Sequence, residues 1–142
     1  MISIVTKKLK GFTIIELLVA VAIVAVLSTI VLFNVVQYGN KGKNAAINGN
    51  LSTMITNAAI YVDANGNYTG FCTTSGYTNP ETEVNSITGG TMVKNCAAAT
   101  FCACVPLKGT TDTLCVDYTG YKKETPTACS SRCSTTVTSC AD

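Results

Sequence analysis

A long apolar segment near the N-terminus constrains this chain more than any other feature. No charged residue occurs from residue 17 to residue 40, and residues 12–36 are mainly Ile, Leu, Val and Ala. As a helix rising 1.5 Å per residue, residues 12–36 would extend roughly 37 Å, against a hydrocarbon core of about 30 Å. The sequence therefore predicts a helix that can span a membrane.

The residues before this segment indicate its orientation. Lys7, Lys8 and Lys10 precede it, and lysines flanking a membrane helix favour the cytoplasmic side. A cleaved secretory signal is the alternative, but its apolar core would be about 7–15 residues, followed by a small-residue cleavage site. Here the apolar run is longer, and the small-residue site lies before it. We expect a cytoplasmic N-terminus, with the residues after the segment outside.

One carboxylate interrupts the apolar segment. Glu16 lies close to its start and is the single charged residue between residues 12 and 38. A carboxylate in hydrocarbon is costly, and ionisable residues inside membrane segments usually mark a function. Glu16 is therefore the first candidate functional residue.

The cysteines all follow the membrane segment and are even in number: Cys72, Cys96, Cys102, Cys104, Cys115, Cys129, Cys133 and Cys140. Exported chains keep disulfides, whereas cytosolic chains rarely do. Residues 65–142 contain only ten Leu, Ile, Val or Phe, so their core is thin and needs covalent support. Eight thiolates could instead bind two zinc ions, but the spacings CAC and CSSRC lack the paired C-x2-C pattern of such sites. We therefore predict disulfides and no metal.

Residues 39–63 show the periodicity of an amphipathic helix. The turn sequence DANGNYTG at residues 63–70 should end it. Gly39, Gly42 and Gly49 weaken interior turns, so we expect the join with the membrane segment to bend or partly unwind. The apolar residues that follow helical spacing are Ile47, Leu51, Met54, Ile55, Ala58, Tyr61 and Val62.

The rest of the chain is predicted to form a small sheet. Residues 100–107 and 112–119 alternate as two strands of a hairpin joined by KGTT, with weaker strand candidates at 91–96 and 134–140. Residues 71–90 read as a polar loop. Cys104 and Cys115 lie near the centres of the two hairpin strands, so we expect them to form one cross-strand disulfide. The predicted fold is α+β: a long N-terminal helix, membrane-spanning and then amphipathic, packed on a small antiparallel sheet held by disulfides.

The composition argues against several function classes. The chain has no His, so a catalytic Cys would lack its ordinary base, and we expect neither enzymatic activity nor a cofactor. After Gly11 there remain seven basic and eight acidic residues, so direct nucleic-acid binding is not predicted. Asp117 is expected to be a solvent-facing strand carboxylate. The charged run Lys122, Lys123 and Glu124 is expected to be a solvated turn.

The stretch KGFTIIELLVAVAIVAVL at residues 10–27 resembles the N-terminus of type IV prepilins and of the related pseudopilins of type II secretion. The family pattern is a short basic leader ending in Gly, then an aromatic residue or Met, then Thr, then a Glu before an apolar run. Gly11, Phe12, Thr13 and Glu16 match these positions. The organisation that follows, an extended helix and a small Cys-containing sheet domain, is similar to that of the family, although eight Cys exceed its usual single bridge.

The resemblance implies a processing and assembly route. A prepilin peptidase would cut between Gly11 and Phe12 and methylate the new amine of Phe12. Glu16 would then face the Phe12 amine of a neighbouring subunit and set the stagger of a helical fibre. The alternative for Glu16 is that it serves only the start of its own helix. The implied partners are further copies of the chain, other pilins, the peptidase and an inner-membrane assembly platform.

The resemblance also implies a domain organisation and a location. It divides the chain into a leader at 1–11, a membrane and fibre-core helix at 12–38, a helix extension at 39–63 and an exported Cys-rich β domain at 64–142. The chain would cross the inner membrane once before assembly and lie in an extracellular fibre or on the cell surface afterwards. Major pilin, minor pilin and pseudopilin remain open. Outside the family, a bitopic membrane protein with a disulfide-rich binding domain is the alternative.

Overall fold

The computed structural model describes residues 11–134 and 136–140, and these residues confirm the predicted α+β fold. They divide into two compact units, one ending at Gln37 and one beginning at Tyr38. The predicted leader lies, except for Gly11, outside the described residues. The elements are helix α1 (Ile14–Asn65), a 3-10 turn (Phe71–Thr73), helix α2 (Ser75–Thr88), strands β1 (Val93–Cys96), β2 (Phe101–Pro106), β3 (Thr113–Asp117) and β4 (Lys122–Thr125), and helix α3 (Cys129–Arg132).

Helix α1 remains helical through Gly39, Gly42 and Gly49, so the unwinding predicted there is not present in the single chain. A methyl group added at any of these glycines would meet no atom within 4 Å, so packing within the chain does not require them.

The helix ends as the turn sequence predicts. Gly66 has φ of 74°, and its N–H donates to the Val62 carbonyl at 2.7 Å.

The C-terminal half of α1 supplies one side of the core of the second unit. Ile47, Leu51, Met54 and Ala58 are each at most 1% exposed, which confirms the predicted apolar stripe. Ile55, Tyr61 and Val62 are partly buried beside them. The same cluster contains residues of α2, the sheet and the connecting turns: Tyr68, Phe71, Tyr77, Val84, Met92, Phe101, Ala103, Val105, Leu107, Leu114 and Val116.

The prediction of a loop at residues 71–90 was wrong, because Ser75–Thr88 forms helix α2. Its buried residues are Tyr77, Pro80 and Val84, a helical spacing of three and four positions. The remaining positions are mostly Thr, Ser, Asn and Glu, and this polar composition concealed the short apolar stripe. Tertiary burial of that stripe stabilises a helix that local propensity does not favour.

Helix α2 accommodates a proline because helix α1 replaces the missing donor. Pro80 has no N–H, so the Gly76 carbonyl four residues earlier loses its helical hydrogen-bond donor. The Asn57 side chain of α1 donates to that carbonyl from Nδ2 at 2.8 Å. Gly76 also permits this approach, because a Cβ there would lie 3.3 Å from the Cβ of Asn57.

This arrangement predicts a coupled pair of substitutions. Asn57→Ala should destabilise the chain by about 1–3 kcal/mol, because it leaves the Gly76 carbonyl without its donor. In a Pro80→Ala background the same substitution should cost much less, because the restored N–H at position 80 can donate to Gly76. Urea unfolding of the detergent-solubilised chain measures all four variants. Equal costs of Asn57→Ala in the two backgrounds would contradict this account.

The four strands form an antiparallel sheet in the order β1-β2-β3-β4. Both of its faces are covered, because Ala103 and Val105 of β2 join the α1 core while Cys102 and Cys104 join a second cluster of cysteines. The strand predictions at 91–96, 100–107 and 112–119 are confirmed. Two others were wrong: Lys122–Thr125 is strand β4 rather than a solvated turn, and the described part of 134–140 contains no strand.

Polar contacts fix the sheet to α1 beside the apolar core. The Asn44 side chain donates to the Lys108 carbonyl at 3.0 Å and accepts from the Lys108 N–H at 2.8 Å. On β4, the Lys122 ammonium donates to Asn48 Oδ1 at 2.6 Å and to Ser52 Oγ at 2.7 Å. The edge lysine, which the sequence suggested was free in solvent, therefore holds the sheet against the helix.

Candidate functional site

The predicted cleavage position lies in exposed, non-helical chain directly before α1. Gly11, Phe12 and Thr13 precede the first helical residue, Ile14, and all three are exposed. A Cβ at Gly11 would meet no atom of the described residues within 4 Å. The fold itself therefore does not require glycine at position 11. Any such requirement must come from a partner that acts on this segment.

Glu16 and Thr13 form a reciprocal cap at the start of α1. Glu16 Oε2 accepts from the Thr13 N–H at 3.0 Å and from the Thr13 hydroxyl at 2.9 Å. The Glu16 N–H in turn donates to Thr13 Oγ1 at 3.3 Å. Ser or Thr followed three residues later by Glu is the capping-box pattern. In the single chain, Glu16 thus serves its own helix, the role that the sequence left open as an alternative.

Phe12 and Glu16, the two residues predicted to act in assembly, line one shallow surface groove. Ile15, Val19, Ala20 and Ile23 complete its apolar lining. Glu16, Val19 and Ile23 are three and four positions apart on α1 and so share one face, and Phe12 lies beside them just before the helix begins. The structure therefore brings the predicted assembly residues together, with apolar side chains around the carboxylate.

The surface of α1 around this groove is apolar and uncovered. Phe12 is 80% exposed, and the other described large apolar side chains of residues 14–36 are each more than half exposed. Among the described residues, Ile14–Asn65 is the one helix long and apolar enough to cross a membrane, with mean hydropathy of 2.8 over its most apolar 18 residues. So large an exposed apolar surface is typical of a segment that lipid or other protein chains cover.

All eight cysteines pair, giving four disulfides: Cys72–Cys96, Cys102–Cys133, Cys104–Cys129 and Cys115–Cys140. The predicted disulfides are therefore present, but the predicted Cys104–Cys115 pairing was wrong. These two cysteines do lie directly opposite each other in the β2–β3 register. Each is instead bonded to the C-terminal segment, which covers that face of the sheet and supplies Cys129 and Cys140.

Asp117 was also predicted wrongly, because it is 2% exposed rather than solvent-facing. Its Oδ1 accepts from the Thr119 N–H at 2.9 Å and from the Thr119 hydroxyl at 2.6 Å, and its Oδ2 accepts from the Cys140 N–H at 2.8 Å. Arg132, 1% exposed, donates to the Cys140 carbonyl at 2.9 Å. The buried carboxylate and guanidinium therefore bind the backbone N–H and the carbonyl of Cys140, respectively.

Sequence reasoning could have found only part of this arrangement. The order Asp-Tyr-Thr-Gly at the end of β3 is typical of an Asx turn, which indicates the bond between Asp117 and Thr119. Nothing local indicates that residues 126–140 return over the sheet. The partners of Arg132 and the burial of Asp117 follow from that return and are visible only in three dimensions.

Residues 6–32 match the family model described as the prokaryotic N-terminal methylation motif. This motif is the signal segment typical of type IV pilins and pseudopilins, and the match covers less than a fifth of the 142 residues. It supports a pilin-like or pseudopilin-like protein whose N-terminal segment is the matched part. No curated protein and no solved structure matches the chain significantly.

Proposed function

We propose that this chain is a structural subunit of a type IV pilus-like fibre. The observation that carries the proposal is the methylation motif at residues 6–32, continued by a helix whose apolar surface is uncovered in the single chain. In this proposal residues 1–11 are the leader, 12–38 the membrane and fibre-core helix, 39–63 its extension, and 64–142 the exported Cys-rich domain. The apolar helix would lie in the inner membrane before assembly and among other subunits afterwards.

Processing by a prepilin peptidase is the first step of the proposed route. The enzyme would cut between Gly11 and Phe12 and methylate the Phe12 amine. The exposure and non-helical conformation of residues 11–13 support this step, because a peptidase needs an extended chain at the bond that it cuts. The capping box would keep α1 intact up to the new terminus, because Thr13 is the second residue of the processed chain.

Assembly is the second step, and Glu16 has the central role in it. After cleavage, the Phe12 amine is a new positive charge beside an apolar surface. In the low dielectric of a fibre core it would need an anion, and Glu16 of a neighbouring subunit is the carboxylate available in this segment. Pairing the two would fix the axial stagger of successive subunits.

Purified fibres provide the direct test of the proposed function. Fibres sheared from cells that express the chain should be imaged, and their principal subunit identified by intact mass. The expected mass corresponds to a chain beginning at N-methylated Phe12 with four disulfides. Fibres whose subunits retain Met1, or a chain that stays in the membrane as a single-pass protein and never enters fibres, would refute the proposal.

A pseudopilin or minor pilin is the second candidate, because the same motif is typical of both classes. These subunits would also be processed and methylated at Phe12. The distinguishing quantity is abundance in the fibre: a major pilin supplies most of its mass, whereas a minor pilin or pseudopilin supplies little or none of a long surface fibre. Quantitative mass spectrometry of the sheared fraction measures this share.

The helix join gives a further prediction for the assembled state. Gly39 and Gly42 flank a segment that is helical in the single chain. We expect it to bend or melt in the fibre. Each glycine weakens its helical turn by up to about 1 kcal/mol, and contacts between subunits can offset the remaining cost of unwinding the helix. Hydrogen exchange of residues 37–50 in filaments should show faster exchange there than at residues 51–62. Strong, uniform protection from 37 to 50 would contradict the prediction.

A further inference from the structure

We propose that oxidative folding of this chain passes through a non-native Cys104–Cys115 disulfide, and that the native pairing requires thiol–disulfide exchange to remove it. The native partners of these two cysteines are Cys129 and Cys140. The proposal concerns how the exported domain matures and is independent of whether the chain forms fibres.

The sheet register places the two sulfurs in position to react. Cys104 and Cys115 are directly opposite each other in the antiparallel β2–β3 pair, and both side chains lie in the same cysteine cluster. Directly opposite residues have Cα atoms about 4.5 or 5.5 Å apart, and both values lie within the range that a disulfide accepts. Forming the hairpin is therefore enough to bring these thiols together.

Chain connectivity favours the same wrong pair. Cys104 and Cys115 are 11 positions apart in sequence, whereas the native Cys104–Cys129 and Cys115–Cys140 bonds each span 25. Loop-closure entropy scales with the logarithm of loop length, so the shorter loop closes about threefold more often even in an unstructured chain. Formation of the local β2–β3 hairpin increases this advantage.

The native bonds, in contrast, depend on contacts made by the C-terminal residues of the chain. Cys140 is held by the Asp117 carboxylate on its N–H and by Arg132 on its carbonyl. Both contacts exist only once the C-terminal segment has folded over the sheet. Until then Cys115 has Cys104 beside it and Cys140 at the end of an unplaced segment.

The exchange step conserves electrons. A Cys129 thiolate attacks Sγ of Cys104 in the Cys104–Cys115 bond; the Cys104–Cys129 bond forms, and Cys115 leaves as a thiolate. An external disulfide, such as oxidised glutathione, then oxidises Cys115 and Cys140 to the native bond and is itself reduced to two thiols. Where Cys129 has already been oxidised with another partner, an external thiolate must open Cys104–Cys115 first. The class of partner implied is therefore a thiol–disulfide isomerase or a small-molecule thiol.

Tryptic mapping of the full chain distinguishes the pairs. Cleavage after Lys94, Lys108, Lys122 and Arg132 places Cys104 in peptide 95–108 and Cys115 in peptide 109–122. No native disulfide joins these two peptides, because Cys115 is natively bonded to Cys140 in peptide 133–142. A species of only these two peptides therefore reports a non-native bond of Cys115. Because peptide 95–108 also contains Cys96 and Cys102, fragment ions that separate the three cysteines are needed to assign the bond to Cys104.

The experiment reoxidises the reduced, unfolded full chain in detergent with oxidised glutathione, with and without reduced glutathione. Samples are alkylated at intervals and digested. Early samples should contain the Cys104–Cys115 bond, assigned by its fragment ions, in at least about threefold excess over the Cys115–Cys140 bond, as loop closure requires. With added reduced glutathione it should disappear as native bonds form. With oxidised glutathione in large excess and no added thiol, it should persist in the molecules whose Cys129 is already oxidised. Absence of this bond at every time, while native bonds accumulate, would overturn the proposal.

Two matched double variants test the assignment. Cys104→Ser with Cys129→Ser removes the competing partner together with one native bond, so Cys115–Cys140 should form without the need for reduced glutathione. Cys72→Ser with Cys96→Ser also removes one native bond but keeps the competitor, so the thiol requirement should remain. Equal thiol dependence in the two variants would contradict the proposal. If the first variant does not fold, the time course of the unsubstituted chain still tests whether the Cys104–Cys115 bond forms first.

Discussion

Replacing Glu16 with alanine is expected to abolish fibre assembly, or reduce it sharply, while the subunit still accumulates in the inner membrane. Removing the carboxylate from an apolar helix does not disfavour the lone subunit in lipid. It does remove the proposed partner of the neighbouring Phe12 amine, leaving a charge unpaired in the fibre core. Processing at Gly11 should persist, because the cut precedes the pairing, although methylation can fall.

The capping box supplies the controls for this prediction. Glu16→Gln keeps a side chain that can cap the helix through Thr13, since Gln as well as Glu serves at this position, but it removes the charge. Thr13→Ala keeps the charge and removes the Thr13 hydroxyl, which takes part in two of the three bonds of the capping box. If pairing with the neighbouring amine governs assembly, Gln should fail nearly as badly as Ala at position 16, and Thr13→Ala should still assemble.

The measurement is fibre yield from cells that contain only the variant subunit, beside its level in the inner membrane. Normal fibres from Glu16→Ala would reduce the role of Glu16 to the cap seen in the single chain. Failure of Thr13→Ala with success of Glu16→Gln would lead to the same conclusion, because it would make helix capping the limiting factor.

Substitution of Gly11 by leucine should block maturation without disturbing the fold. The position is exposed and has open space for a side chain, so the chain itself accommodates the change. The proposed peptidase must instead accept the residue next to the bond that it cuts, and a bulky side chain there should leave full-length protein in the inner membrane. Intact mass of the membrane fraction distinguishes precursor from the chain beginning at Phe12.

Gly90→Leu is the matched control, because Gly90 is likewise exposed and free of neighbours within 4 Å. It adds the same bulk far along the chain from the cut and should be processed normally. Efficient cleavage of the Gly11→Leu variant after residue 11 would show that glycine is not needed there. A fold defect in it, measured by loss of the four disulfides, would contradict the structural reasoning.

Sequence periodicity predicted the elements whose buried residues recur at regular spacing. The stripe of α1 containing Ile47 and Leu51 is one case, and strands β2 and β3, whose residues alternate between the apolar core and the cysteine cluster, are another; each was predicted within a few residues. Helix α2 was missed because only Tyr77, Pro80 and Val84 carry its buried face, and a proline within a polar stretch indicates a loop. Its stability depends on Asn57, a residue of another helix.

The functional segment was the easier part to predict, because its chemistry is local. Gly11, Phe12, Thr13 and Glu16 lie within six consecutive residues, so their proximity in the structure follows from the sequence itself. The disulfide pairing was harder for the opposite reason. Cys104 and Cys115 are neighbours in the sheet, yet their bonds are decided by where the C-terminal segment lies.

The four disulfides also determine how the domain would survive proteolysis. The Cys72–Cys96 bond closes one covalent ring, and the bonds of the other six cysteines interlock over residues 102–140. A single nick inside either ring leaves every fragment attached. Between the rings lies the β1–β2 turn, whose residues Ala97, Ala98 and Ala99 are exposed. A cut in that turn would divide the domain into two pieces with no covalent connection. Only non-covalent contacts would hold them together: the pairing of β1 with β2, the apolar core that α1 shares with the sheet, and the polar contacts of Asn44 and Lys122.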